Sequence, residues 1–314
     1  MGRAPRKQLD RGKGLDRRTL LIGGGAAAGL LLAWGAWPRT YAPNLAAGPT
    51  ETIVNAFLKI DRSGQIIVVV PQTEMGQGVT TVLPQILADE LGADWRTVAV
   101  QSAPISPLYA NELLAREWLA SDWTRLLGDA GRWAIDQYAT RSALMLTGGG
   151  TSIPMFHDAY RDAGAAARVL LCKAAAARWS IPWESCDIQE GLISDGAQRR
   201  MKIGDVAGEA MAFDLPPILP YRQGQDGRLA GQDLARLDTP SKIDGTHNFA
   251  ADVRLPDMVF ASIRQGPIGD ATLAGLDDRA ASSVTGFLKL VKQDRWVAAV
   301  ASNWWAANKA LDLA

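Results

Sequence analysis

The stretch from Ile66 to Leu91 limits the fold more than any other part of the chain. Ile66-Ile67-Val68-Val69-Val70 is a short, unbroken apolar run of β-branched residues, the pattern of a strand covered on both faces. Val79, Val82, Leu83, Ile86, Leu87 and Leu91 then recur at helical spacing, with Asp89 and Glu90 expected to face outward and Pro84 near the first turn. Between strand and helix lies Glu74-Met75-Gly76-Gln77-Gly78. Gly76 and Gly78 leave the backbone uncovered, and the free N–H groups of a helix's first turn add partial positive charge, so an anion can approach main chain there. The same junction also has a plain reading as a tight turn. Neither Gly-x-Gly-x-x-Gly nor Gly-x-x-x-x-Gly-Lys-Ser/Thr is present around Gly76, and no lysine stands where a nucleoside triphosphate would need one.

A second glycine-rich turn, Gly148-Gly149-Gly150-Thr151-Ser152, opens a long Ala-rich helix expected from about 154 to 179. Thr151 or Ser152 suits either an N-cap or a hydroxyl that binds an anionic oxygen. Ala159, Ala163, Ala166 and Ala167 suit close approach of another backbone. Around these turns, 53–60 and 65–70 read as an antiparallel hairpin across Asp61-Arg62-Ser63-Gly64, and 95–102 as a further strand. Residues 103–147 read as an irregular insertion with short helices, with Trp118, Trp123 and Trp133 as packing groups. A strand pair is expected at 182–194, a short helix at 203–211, and a proline-rich boundary at 215–220. Beyond it, strands are expected around 248–253, 258–263, 287–291 and 296–301, with a helix near 276–283 and a closing helix from Ser302. This is an α+β pattern in two units, 51–220 and 221–314.

Charge excludes little beyond nucleic acid. Lys+Arg (33) equals Asp+Glu (33), so no basic footprint points to a polyanion. With only Cys172 and Cys186, the chain supplies neither an iron–sulfur ligand set nor a Cys₄ zinc site, and His157 and His247 are too far apart for a local metal motif. The two cysteines form either one disulfide or two buried thiols. At the N-terminus, Arg3, Arg6, Lys7, Arg11 and Lys13 precede Arg17-Arg18 and an uncharged segment over 20–37. That arrangement resembles a twin-arginine export signal, with 1–50 as signal or anchor and linker and the periplasm as destination. The segment is either cleaved or kept as a membrane anchor.

Several of these segments together resemble the molybdopterin-binding large subunit of the xanthine dehydrogenase/aldehyde oxidase family, in its isoquinoline 1-oxidoreductase branch (beta subunit). Pro71-Gln72-Thr73-Glu74-Met75-Gly76-Gln77-Gly78 looks like the family's cofactor loop, and 148–152 looks like its Gly-Gly-Ser-Thr-Ser element with Gly150 replacing a serine. Residues 231–245 and 252–261 are similar to the start of an a/b hammerhead domain, with Asp257 where a glycine is common. The resemblance implies that Gly76, Gln77 and Gly78 contact the pterin and its phosphates, and that Gly149, Gly150, Thr151 and Ser152 hold the pyrophosphate end of molybdopterin cytosine dinucleotide. It also implies oxidative hydroxylation of an aldehyde or N-heteroaromatic substrate with oxygen from water. Electrons would leave through a small subunit carrying [2Fe–2S] clusters, with a cytochrome c as one candidate acceptor. Family large subunits are longer, and no Gly-x-Gly-Glu-like segment is present to supply the catalytic base. The expectation is therefore an N-terminal portion that needs the C-terminal half of the subunit and is inactive alone. The competing expectation is a non-catalytic, membrane-anchored scaffold of the same fold.

Overall fold

Residues 39–224 and 228–314 are described in the computed structural model of the chain, so the twin-arginine segment and anchor expected within 1–38 lie outside the described residues. Backbone contacts divide the chain after Pro240 into two units.

In the first unit, β1 (Glu51–Asn55), β2 (Leu58–Asp61), β3 (Ile66–Val70) and β4 (Val98–Ser102) form a sheet in sequential order. The run 53–60 does not stay one strand. The Asn55 Oδ1 accepts the Phe57 N–H at 3.0 Å and turns the chain, giving a meander in place of a simple hairpin. β3 pairs antiparallel with β2 and parallel with β4, from Ile66↔Val98 to Val70↔Ser102. A parallel neighbour needs a crossover, and α1 (Val79–Leu91) supplies it. Gly92 ends that helix at φ 80°, where an added Cβ would lie 2.0 Å from the Ile188 carbonyl oxygen, so no other residue fits. Pro84 lies inside α1 in its second turn, not its first. Ahead of β4, Asp94 caps a 3₁₀ turn (Trp95–Thr97) by accepting the Arg96 N–H at 3.0 Å, which shortens the expected strand.

Four further helices complete the upper part of this unit. α2 (Glu112–Trp118), α3 (Asp122–Leu126) and α4 (Asp129–Arg141) form the insertion. Ala115, Ile135 and Ala139 are its small core, and Arg116 bridges to Asp136 at 2.6 Å. Trp118 and Trp133 are exposed at 64% and 44%, so neither is the packing group the sequence suggests; the Trp123 side chain is outside the described set. α5 (Ser152–Trp179) is the Ala-rich helix, about 42 Å long. It lies against α1 so closely that a Cβ at Gly164 would meet the Leu87 carbonyl oxygen at 2.4 Å. Ala163 and Ala167 flank that contact and are buried. Phe57 packs between Tyr109 and Tyr160, with centroid separations of 5.6 and 4.8 Å. Both tyrosine hydroxyls are satisfied, Tyr109 donating to the Ala56 carbonyl (2.6 Å) and Tyr160 to that of Val69 (2.5 Å).

The strand pair expected at 182–194 has a third member: β5 (Asp187–Gln189), β6 (Leu192–Ser194) and β7 (Arg200–Lys202) run antiparallel. The helix expected over 203–211 is interrupted at Val206, leaving a 3₁₀ turn (Ile203–Asp205) and α6 (Ala207–Ala210). Cys172 and Cys186 are buried free thiols. Residues 221–224 and 228–240, read from sequence with the second unit, run along α1 and belong by contacts to the first. For that reason Asp89 and Glu90 do not face solvent. They are 4% and 1% exposed beneath the arginines of this strap.

The second unit carries β8 (Phe260–Gln265), β9 (Phe287–Lys292) and β10 (Trp296–Ala301) in the antiparallel order β8-β10-β9. α7 (Asp278–Ser282) and α8 (Trp304–Leu313) accompany it. The Asn303 side chain caps α8 by accepting the Ala306 N–H at 2.8 Å. Ala306, Ala307, Ala310 and Leu311 are buried with Val297, Ala299 and Ala301 of β10. The strand expected around 248–253 is instead a 3₁₀ turn (Ala250–Asp252), held by the Phe249 N–H donating to the Asp252 carboxylate at 3.1 Å. Mixed helix and strand content agrees with the α+β expectation. Among the described residues, no helix is long and apolar enough to cross a membrane.

Candidate functional site

The turn between β3 and α1 is built around one carboxylate. Glu74 Oε1 accepts the N–H groups of Gly76 (2.8 Å) and Gly78 (2.9 Å), and its Oε2 accepts the N–H (3.1 Å) and hydroxyl (2.9 Å) of Thr80. Burial works to raise the Glu74 carboxyl, but the donors from Gly78, Thr80 and Gly76 outweigh it and hold the group below its usual range. Glu74 thus takes N–H groups that the sequence leaves free for a ligand. Gly76 and Gly78 have φ of 101° and 87°, and an added Cβ at either meets nothing within 4 Å, so conformation alone requires glycine there. Gln77 folds back on the turn: its Nε2 donates to the Thr73 carbonyl (2.8 Å) and its Oε1 accepts the Met75 N–H (2.6 Å).

The second turn is supported from below by neutral groups. Gly149 and Gly150, at φ 58° and 67°, are exposed. Thr151 and Ser152 are buried, and their hydroxyls point into the fold. Thr151 Oγ1 donates to the Gly148 carbonyl (2.8 Å) and accepts from Asn111 Nδ2 (2.8 Å). The Ser152 hydroxyl donates to Gln72 Oε1 at 2.9 Å. Asn111, fully buried, also donates to the Leu146 carbonyl (2.9 Å) and accepts the Leu114 N–H (3.1 Å), which starts α2. Gln72 lies two residues beyond β3 and Ser152 at the start of α5, so this network fixes the two turns side by side. A surface link, the Thr73 N–H donating to Thr147 Oγ1 at 2.9 Å, does the same.

The structure therefore brings both groups of expected residues together, though with altered roles. Exposed main chain at 76–77 and 149–150 faces out, while Thr151 and Ser152 hold the second turn from within. The N–H groups of Gln77 and Val79 in one turn, and of Gly149 and Gly150 in the other, have no acceptor among the described residues. Asn111 was the residue that sequence reasoning missed; its signal was an Asn directly before Glu112, the N-cap pattern of a helix inside a segment read as irregular. Arg236 also reaches the first turn, but Glu74 and Asp238 both pair with it, so it leaves no net positive charge. The donor set is a cradle of neutral main-chain N–H groups held at fixed positions. It fits a pterin and phosphoanhydride that bind by many hydrogen bonds better than a single strongly charged phosphate clamped by lysine. Among the described residues no group of three or more His, Cys, Asp and Glu is placed to hold a metal ion.

Similar known proteins bear on what such a cradle would hold. Residues 25–111 match the molybdopterin cofactor-binding domain model, a range that includes the first turn and Asn111. The chain is 26% identical to the beta subunit of isoquinoline 1-oxidoreductase from Brevundimonas diminuta, over 94% of this chain and 39% of that protein. It is 26% identical over 82% of its length to a protein of Gluconacetobacter polyoxogenes named membrane-bound aldehyde dehydrogenase (pyrroloquinoline-quinone), covering 30% of it. A nicotinate dehydrogenase subunit of Pseudomonas putida is 25% identical, over 82% of this chain and 20% of that protein. These matches support a place for the chain among molybdenum-hydroxylase large subunits. The chain spans less than half the length of each of these relatives.

Proposed function

We propose that this chain supplies part of the molybdenum-cofactor site of a hydroxylase large subunit acting on an aldehyde or an N-heteroaromatic compound. The observation that carries this reading is the pairing of two exposed glycine turns through the buried Gln72–Ser152 hydrogen bond, with Asn111 holding Thr151 beside it. When bound, molybdopterin cytosine dinucleotide supplies the redox chemistry that inserts water-derived oxygen and takes up two electrons. The chain's own residues bind and orient it. Gln77, Val79, Gly149 and Gly150 offer main-chain donors, Gly76 and Gly78 keep side chains away, and Thr151 and Ser152 hold the second turn rigid. Glu74 is no candidate base, because three main-chain N–H groups and a hydroxyl already occupy its carboxylate. Proton abstraction and electron exit fall to other partners, the rest of a large subunit and a [2Fe–2S] subunit, so the chain by itself is expected to be inactive. The second unit is read as an a/b hammerhead-like domain, and export to the periplasm by the twin-arginine route accompanies this reading. One relative carries pyrroloquinoline quinone in its name; the matched molybdopterin domain favours molybdenum here.

The test is to co-express the chain with what is encoded beside it, including any iron–sulfur subunit, and to measure bound molybdenum and released cytosine nucleotide. Stoichiometric amounts of both are expected. A folded protein that carries neither would leave the non-catalytic scaffold as the better reading.

A further inference from the structure

Beyond the turns themselves, the strap over 228–238 shows how one of them is kept in position. It is anchored deep in the first unit at Asp89. Arg228 pairs with both carboxylate oxygens of Asp89, one of which also accepts the N–H groups of Leu229 (2.7 Å) and Ala230 (3.2 Å). Gln85 Nε2 donates to the Leu229 carbonyl at 2.7 Å, and the Leu237 N–H donates to Thr81 Oγ1 at 3.2 Å. The strap thus follows α1 from its last turn back to its first. There Arg236, oriented by two 3.0 Å bonds to Asp238, donates through Nη2 to Glu74 Oε1 (3.1 Å) and through Nη1 to the Gly76 carbonyl (2.9 Å).

We propose that Arg236 is a positioning residue that orients the Gly76–Gln77 peptide for cofactor binding. In a trans peptide the C=O and the following N–H point in opposite directions. Arg236 grips the Gly76 carbonyl on the strap side, so the Gln77 N–H, which has no acceptor among the described residues, is turned away from the strap. Without that grip, glycine's wide conformational range lets this peptide rotate, and the donor is lost from its place. The simpler role of phosphate ligand is closed to Arg236, because its guanidinium is already engaged by Glu74, Asp238 and the Gly76 carbonyl. The anchor at Asp89 explains how a residue 160 positions away in sequence can hold a surface turn steadily.

The proposal rests on the reading of 76–78 as cofactor-binding, and its test does not need cofactor. Amide hydrogen exchange on the full chain would compare wild type with Arg236→Gln and Arg236→Lys. Exchange over 76–80 is expected to rise about tenfold in Arg236→Gln while α5 stays protected, with Arg236→Lys in between because it keeps the charge and loses the fork. Asp238→Asn, which leaves Arg236 in place with a looser guanidinium, is expected to give a smaller rise at the same residues and stands in if Arg236→Gln does not fold. Unchanged exchange at 76–80, or an equal rise throughout α5, overturns the positioning role. A turn that loosens in a chain that never takes up molybdopterin sustains Arg236's role and removes the cofactor reading instead.

Discussion

The two glycine turns have the same backbone requirement and opposite supports. The turn at 74–80 is held near the surface by an ionised carboxylate and an arginine from a distant strap. The turn at 148–152 rests on a buried amide and two hydroxyls, with no charge among them. Ionic support answers to pH and salt and can be released locally, whereas a buried neutral network is costly to open anywhere because each lost partner leaves a dry polar atom. The difference implies that the first turn is loosened by breaking a single ionic contact, whereas the second stays fixed until the fold around it opens.

The largest effect is expected at Asn111. Asn111→Leu leaves the Leu146 carbonyl, the Thr151 hydroxyl and the Leu114 N–H without their partner inside the fold, for a loss of about 3 kcal/mol. Urea unfolding of the full chain should show this as a lower midpoint with the slope retained. A loss under about 1 kcal/mol would mean that water reaches the second turn, and the contrast between the turns would disappear.

Glu74→Gln comes next, at about 2 kcal/mol, since an amide cannot accept from all four donors with both oxygens. The sign of its pH dependence follows from the lowered Glu74 carboxyl. Its contribution is fully present above the unfolded value of 4.5 and is lost as pH falls below that through the folded value. Wild type should therefore lose stability on acidification to a degree that Glu74→Gln does not, when both are followed between about pH 6 and pH 3. Asn111→Leu should keep the wild-type acid response. Equal acid responses in wild type and Glu74→Gln would remove the ionic character assigned to the first turn.

How much of this was legible follows the same division. The β3–turn–α1 unit and the long Ala-rich helix are local patterns, so periodicity and glycine placement were enough to read them. The Glu74 ring is local too, yet its effect was misread, because sequence does not say that a helix's free N–H groups will be taken by a carboxylate from the turn before it. Asp89 and Glu90 looked like a solvated edge; Arg161 of α5, with Arg228 and the Arg222 main-chain N–H from more than a hundred residues downstream, makes their burial tolerable. Asn111 and Gln72 are ordinary polar residues whose meaning depends on the segment at 144–152 closing over them. Long-range polar pairing has no period, and that is what sequence reading lacked.

Glycine replacements should be smaller and should not distinguish the turns. Gly78→Ala and Gly150→Ala each place an L-residue at positive φ, 87° and 67°, with nothing within 4 Å of the new Cβ. Each should cost about 1 kcal/mol from backbone conformation alone. Gly149→Ala should cost somewhat more, because its Cβ would lie 2.5 Å from the Glu117 carboxylate and 3.3 Å from a Leu114 methyl; the carboxylate can swing away and the buried Leu114 cannot. Similar losses at 78 and 150 would locate the contrast between the turns in their supports and not in their backbones.

The smallest effect is expected at the link between them. Thr147→Val keeps the shape of the side chain and removes the oxygen that accepts the Thr73 N–H. Thr73 is exposed, so water replaces the lost partner, and the stability change should stay near about 0.5 kcal/mol. Its value lies in coupling. If the turns are separate devices joined only by this bond and the Gln72–Ser152 contact, Thr147→Val should add to Glu74→Gln within about 0.5 kcal/mol in a double-mutant cycle. Coupling beyond about 1 kcal/mol would mean that the rigid turn sets the position of the adjustable one through Thr73, two residues after Pro71 and next to Glu74. The cradle would then act as one unit, and loosening either side would loosen both.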